Sequence, residues 1–217
     1  MWGETQLLIR WHGHSCFELG DNVTVVTDPH DGRSIGINPP NCRGDIILVS
    51  HDHFDHNSVK TVTDGDSRVF TGDVDTVFRG IDIRSFQTFH DDMGGEKRGI
   101  NHIFRIKMDG ITFLHLGDLG HELDHDTVKA LGPIDVLFIP VGGIFTIDHR
   151  SAWSVINAVA PKAVVPMHFK VGGLSLSIDP VDLFIKDAGE VERVGNDLEF
   201  MREDLEGDAP LVWVFSL

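Results

Sequence analysis

The sequence predicts an α+β or layered α/β fold. Short apolar runs rich in β-branched residues recur along the chain, fewer helical patterns fall between some of them, and the runs often end in Gly, Asp or His.

The strands are expected at Leu7-Trp11, Cys16-Leu19, Val23-Thr27, Ile46-Val49, Val69-Thr71, Ile81-Phe86, His102-Lys107, Ile111-His115, Val136-Pro140 and Ala163-Pro166. Asp21-Asn22 and, more strongly, Asp109-Gly110 read as hairpin turns. Helical patterns cover Asn57-Val62, Asp126-Leu131 and Ser151-Ala160, the last stopped by Pro161. A fourth covers Asp179-Asp187, where Pro180 suits a first turn. The acidic tail from Glu190 ends in the apolar Leu211-Leu217, a candidate closing strand.

No linker, low-complexity segment or charge block divides the chain, so 1–217 is read as one domain. It carries an internal echo. Val25-Val26-Thr27-Asp28 is followed by the strand opening at Asp45, and Ile111–Gly117-Asp118 by the strand opening at Asp135, at equal spacing from aspartate to aspartate. Two similar halves, about 1–110 and 111–217, stacked as a sandwich of sheets, are the expectation.

Composition narrows function. The net charge is -16, from 34 acidic and 18 basic residues, with no Lys/Arg cluster. That field repels a phosphate backbone, so a long nucleic acid is not an expected partner and a small molecule is. No run approaches the ~18 apolar residues of a membrane span. Met1-Trp2-Gly3-Glu4-Thr5-Gln6 lacks the pattern of a secretory leader, and two cysteines, Cys16 and Cys42, make no disulfide framework. The expected location is the cytoplasm. Oligomeric state is not legible.

The decisive segment is Ser50-His51-Asp52-His53-Phe54-Asp55-His56, directly after an apolar strand. Three histidines and two aspartates so close cannot form a core, because each buried polar group needs a partner. Imidazole and carboxylate are ligands for borderline divalent cations. His51 and His53 can grip one ion, while Asp55 and His56 reach a second. His90, Asp118 and His168 each follow a strand-like segment and can converge on the same rim. Asp118 suits a bridging place, since a carboxylate can share its two oxygens. Asp52, between the two histidines, points away.

This series, His51-x-His53-x-Asp55-His56, then His90, Gly117-Asp118 and His168, resembles the metallo-β-lactamase superfamily over nearly the whole chain. The resemblance implies an αββα sandwich of two mixed sheets flanked by helices. It implies two divalent ions, Zn2+ foremost, with Mn2+, Fe2+ or Ni2+ acceptable to the same ligands. It assigns His51, His53 and His90 to the first ion, Asp55, His56 and His168 to the second, and Asp118 to the bridge. Asp28 matches an aspartate that orients the ligand loop. Gly13-His14-Ser15-Cys16-Phe17, Phe89-His90-Asp91-Asp92 with Arg98-Gly99, and Pro140-Val141-Gly142-Gly143 are similar to small stand-alone hydrolases like ascorbate-6-phosphate lactonase.

The expected activity is hydrolysis of a small ester, lactone or phosphoester by a hydroxide generated between two metals. Asp118 is expected to accept the proton, with Asp55 a ligand before it is a base. The alternatives are a phosphodiesterase or nuclease on the same site, and a non-catalytic metal-binding protein. His14 is expected either beside the ligands or in packing. His115 is expected as a satisfied core residue. His12, His30, His102, His121, His125 and His149 are expected on the surface or in loops. Asp148 and His149 are further candidates for the pocket wall.

Overall fold

The apolar run Ile46–Val49 is buried on both faces. Ile46 and Leu48 join the main core, while Ile47 and Val49 join a second cluster with Cys16, Val26 and Val62. Successive side chains of a strand point to opposite faces, so a continuous apolar run marks a strand inside a layered structure. The computed structural model describes residues 6–20, 22–207 and 210–217. The opening segment 1–5 and Asp21 of the expected turn lie outside the described residues.

In chain order the elements are β1 (Leu7–Trp11), β2 (Phe17–Leu19), β3 (Val25–Thr27), β4 (Ile46–Val49), β5 (Arg68–Thr71), β6 (Asp75–Phe78), β7 (Ile81–Phe89), β8 (Ile100–Met108), β9 (Ile111–His115) and α1 (His125–Leu131). There follow β10 (Val136–Pro140), α2 (His149–Val159), β11 (Ala163–Met167), α3 (Asp182–Ile185), β12 (Val191–Arg193), β13 (Asp197–Phe200) and β14 (Leu211–Val214). They form two mixed sheets, a six-stranded one in the order β13-β1-β2-β3-β4-β5 and an eight-stranded one in the order β12-β14-β11-β10-β9-β8-β7-β6. The sheets face each other across the core, where the Phe17 and Phe138 rings meet at 4.5 Å between centroids. By alternation Leu137 and Ile139 point the other way, toward α2, whose Ala152, Val155 and Ile156 are buried. On the first sheet the 3-10 turn Val59–Thr61 packs against the second cluster through Val59, while the turn Arg33–Ile35 buries Ile35 against Leu174 and Ile178. The result is a layered α/β sandwich.

The internal echo has a geometric counterpart. β3 pairs with β4, and β9 with β10, in parallel. Asp45 and Asp135 each accept a threonine backbone N–H beside the preceding strand, from Thr24 at 2.9 Å and Thr112 at 2.8 Å. Asp109-Gly110 makes the hairpin turn between β8 and β9, with φ of 48° and 80°, as a two-residue turn of this hand requires.

Several boundaries differ from expectation for identifiable reasons. Asn57-Val62 forms only the 3-10 turn Val59–Thr61, and Asp179-Asp187 contracts to α3. α2 starts two residues early because Asp148 caps it, accepting from the Arg150 and Ser151 amides at 3.0 and 2.9 Å. β6, β12 and β13 were not anticipated: β6 and β12 are largely exposed, and β13 offers only Leu198 and Phe200 as an alternating apolar pair within a short acidic stretch.

His30, expected on the surface or in a loop, lies in a loop but is fully buried, with its Nε2 3.0 Å from the His12 carbonyl. Burial lowers its pKa from 6.5 to about 4, and the bond to the His12 carbonyl offsets only part of that. Above pH ~6.5 the ring is neutral folded or unfolded. Below it, the unfolded chain takes a proton that the folded chain refuses. Stability is therefore complete above pH ~6.5 and falls as pH drops toward about 4. His30→Gln keeps a donor for the His12 carbonyl and removes the titration. Urea unfolding of the metal-stripped variant should show a slope with pH shallower by up to ~1.4 kcal/mol per unit in this window. An unchanged slope would mean that His30 protonates freely when folded.

Candidate metal centre

The carboxyl ends of β3 and β4 in one sheet, and of β7, β9 and β11 in the other, gather on one rim. Loops at strand carboxyl ends are where α/β sheets place ligands. Asp28 follows β3, the segment 50–56 follows β4, His90 follows β7, Asp118 lies just past β9 and His168 follows β11. Asp28, His168 and His14 hold left-handed backbone, with φ of 38°, 52° and 55°. Asp and His tolerate this region better than most residues, and here the sharp turn carries each side chain to the sheet ends. Gly142 packs against one such turn, where a Cβ would run into the His168 carbonyl.

All seven expected ligands come together. Asp118 Oδ2 lies 3.3 Å from the Nε2 atoms of His56, His90 and His168, and 3.9 Å from that of His51. His51 Nε2 is 3.0 Å from His53 Nδ1, and His56 Nε2 is 3.7 Å from Asp55 Oδ2. Ligand atoms of His51, His53 and His90 lie within 4.8 Å of one another, as do those of His51, His56 and Asp118, and of His14, His56 and His168.

This cluster fits divalent cations. His56 Nε2 and Asp118 Oδ1 are buried without a hydrogen-bond partner. Three imidazoles around one carboxylate oxygen, each at 3.3 Å, match the edge of a tetrahedron with bonds of ~2.0–2.1 Å.

The ring tautomers agree with that role. Asp28 accepts from the Ser50 backbone N–H and from the Ser50 hydroxyl, both at 2.7 Å, and from His56 Nδ1 at 3.1 Å. Ser50 Oγ in turn takes His51 Nδ1 at 2.9 Å. One buried aspartate thus turns the lone pairs of two rings, His51 Nε2 and His56 Nε2, toward the centre. His14 Nε2 donates to Asp55 Oδ2 at 3.1 Å.

Electrostatics bind the group further. Burial disfavours the charged form of Asp118, but His168 and His56 outweigh it and hold the carboxyl well below its usual range. In the metal-free protein burial likewise opposes protonation of His56, yet Asp118 and Asp28 raise its pKa well above 6.5, so a cation bound at Nε2 would replace that proton. Burial, reinforced by neighbouring histidines, pushes His14 and His51 down to about 3.

Other sequence expectations resolve plainly. His115 is buried and satisfied, its Nε2 donating to the Ser15 carbonyl at 3.0 Å. Asp52 is exposed. Asp148 is a helix cap and His149 the first residue of α2; neither lines the cavity above the ligands. Asn101 was missed. It is fully buried, donates to Thr88 Oγ1 and the Leu116 carbonyl at 2.8 and 3.0 Å, and accepts the Asp118 amide at 3.0 Å. It therefore fixes the backbone that carries Asp118. It lies just before the expected strand His102-Lys107, so no strand pattern marked it. Also missed were the cavity walls, Phe54, Arg98, Phe145 and Leu176, around a volume of about 250 Å³.

A family described as beta-lactamase superfamily domain matches residues 8–168. A UPF0173 metal-dependent hydrolase of Nitratidesulfovibrio vulgaris is 30% identical over 196 residues, covering 76% of this chain and 80% of that protein. One from Thermoplasma acidophilum is 28% identical over 198 residues, covering 80% and 88%. A crystal structure from Thermotoga maritima, of a candidate Zn-dependent hydrolase of the metallo-β-lactamase superfamily, aligns with TM-score 0.79 and 35% identity. That alignment covers 97% of this chain and 100% of that one. The family match, the relatives and the shared fold agree with the rim of histidines and aspartates: this chain belongs to the metallo-β-lactamase superfamily, among its small metal-dependent hydrolases.

Proposed function

We propose that the protein hydrolyses a small ester, lactone or phosphoester at a pair of divalent cations, with Zn2+ the first choice of metal. The observation that carries this reading is the convergence of His51, His56, His90 and His168 on Asp118 Oδ2 at 3.3–3.9 Å, at the floor of an open cavity. His51, His53 and His90 would hold one ion, Asp55, His56 and His168 the other, with Asp118 between them. Bound there, the ions supply Lewis acidity and bring the pKa of a water toward ~7.

The protein's own groups do the rest. His14 keeps the Asp55 carboxylate turned toward the centre, and Asp28 does the same for His56. Asp118 Oδ1, buried and without a partner, is the atom placed to take a proton from the attacking water. Phe54, Phe145 and Leu176 give the cavity apolar walls. A cavity of about 250 Å³ suits a small molecule, and a net charge of -16 disfavours a polynucleotide.

Elemental analysis of tag-free protein purified without chelator tests this reading. About two equivalents of a transition metal per chain are expected, lost on chelation together with activity on a panel of small esters and lactones. Metal near zero that added zinc or manganese cannot restore would sink it.

A further inference from the structure

Arg98 stands at the cavity wall with His53, Asp55, His90, Asp118 and His168, and it also borders the neighbouring groove beside His121 and Asp148. It is half-buried, and its placement is built by two loops. On one side, the Asp91 carboxylate, next to His90, gathers the backbone N–H groups of Met93, Gly95, Lys97 and Arg98 at 2.8, 2.8, 2.9 and 2.8 Å. That knot fixes the backbone of Arg98 directly beside a metal-site residue. On the other side, the guanidinium lies over the Phe145 ring at 5.3 Å, and Nη2 donates to the Ile144 carbonyl at 3.3 Å. Ile144 itself is held at φ 61°, and the Phe145 amide turns back onto the Gly143 carbonyl at 2.6 Å. A β-branched residue rarely adopts that backbone, and such strain collects where a loop is held for function.

The charge pattern is informative. Lys97 pairs with Asp92 at 3.7 Å, but among the described residues Arg98 has no carboxylate partner. A guanidinium carries five N–H donors, and the Ile144 carbonyl engages one of its nitrogens. Stacking on Phe145 leaves the edge of the fork free. The bound cations would outweigh the nearby carboxylates of Asp55 and Asp118. A second positive group at that wall is then repelled by its surroundings until an anion arrives.

We propose that Arg98, braced by Phe145 and Ile144, binds an anionic group of the substrate, so that the substrate is a small ester or lactone that also carries a carboxylate or a phosphate. This rests on the hydrolase reading above and adds its substrate class. A planar fork meets either anion with two parallel hydrogen bonds, which a lysine cannot do. Phe54, Phe145 and Leu176 leave an apolar stretch of wall for the few carbon atoms between the anion and the scissile bond.

Two 4-nitrophenyl esters form the test: the acetate, which is neutral, and the mono-glutarate, which ends in a carboxylate. The wild type should prefer the glutarate ester in kcat/KM. Arg98→Gln should shrink that preference at least tenfold, through KM rather than kcat, and Arg98→Lys should recover only part of it. A wild type without preference overturns the proposal, and so does an equal loss on both esters in Arg98→Gln. A second reading needs no turnover. Free glutarate and inorganic phosphate, tried separately on the zinc-loaded protein, should raise the melting temperature of the wild type and raise that of Arg98→Gln less. The anion with the larger difference between wild type and variant is the preferred group, and equal shifts in both proteins overturn the proposal. If neither ester is hydrolysed, the hydrolase reading fails for esters and the melting shifts alone decide on Arg98.

Discussion

Asp118→Ala is expected to lower hydrolysis of any ester the wild type turns over by at least ~10³-fold, and to bring metal content below that of the wild type. The reason is positional. A single oxygen of Asp118 lies within 3.3 Å of three imidazoles and 3.9 Å of a fourth, so no other side chain can replace it. Its loss leaves the histidines facing one another without the anion that holds them. Asp118→Asn is the sharper version. It keeps the volume and the bond that the backbone amide donates to Asn101, but removes the charge and one acceptor. Elemental analysis beside single-substrate kinetics separates the outcomes. Loss of metal with activity supports the bridging place. Full metal with lost activity makes Asp118 a proton acceptor alone. Wild-type activity in either variant would overturn the assignment of the centre.

Much of this centre was legible because its residues violate the local pattern around them. His51, His53, Asp55 and His56 crowd the end of a strand, Ile46–Val49, that is apolar on both faces, and no core could absorb them. His90, Asp118 and His168 could be picked out because each follows an apolar strand, and strands running the same way bring their ends to one rim. The supporting residues were less visible. His14 reaches Asp55 across 41 positions, and the Arg98 guanidinium reaches Ile144 across 46, through loops whose conformations no periodicity encodes. Asn101 lies one residue before the expected strand His102-Lys107, and only the bond from the Asp118 amide shows its place. His30 looks like a loop histidine until the turn at His12 closes over it. Strand identity is written in side-chain alternation, whereas pairing between loops is written in tertiary geometry.

Asp28 touches no substrate and should nevertheless be the second most sensitive position. Its carboxylate accepts from the Ser50 amide, the Ser50 hydroxyl and His56 Nδ1, and through Ser50 it also sets His51. Removing such an orienting group typically costs about 10–100-fold in metal affinity. Removing one member of a buried charged pair also destabilises the fold by roughly 3–5 kcal/mol. Two contributions can be told apart by the choice of variant. Asp28 sits at φ 38°, a backbone that Asn tolerates and Ala resists. Asp28→Asn therefore reports the loss of charge, and Asp28→Ala adds backbone strain to it. Competition titration against a chromophoric chelator should find Asp28→Asn at least ~10-fold weaker in metal binding, with the Asp124-capped helix α1 and the rest of the far-UV spectrum unchanged. Urea midpoints should then rank wild type above Asp28→Asn and Asp28→Asn above Asp28→Ala. Metal affinity equal to wild type in Asp28→Asn would mean that His56 and His51 are aimed by packing alone. In that case the buried carboxylate would serve the fold and not the centre.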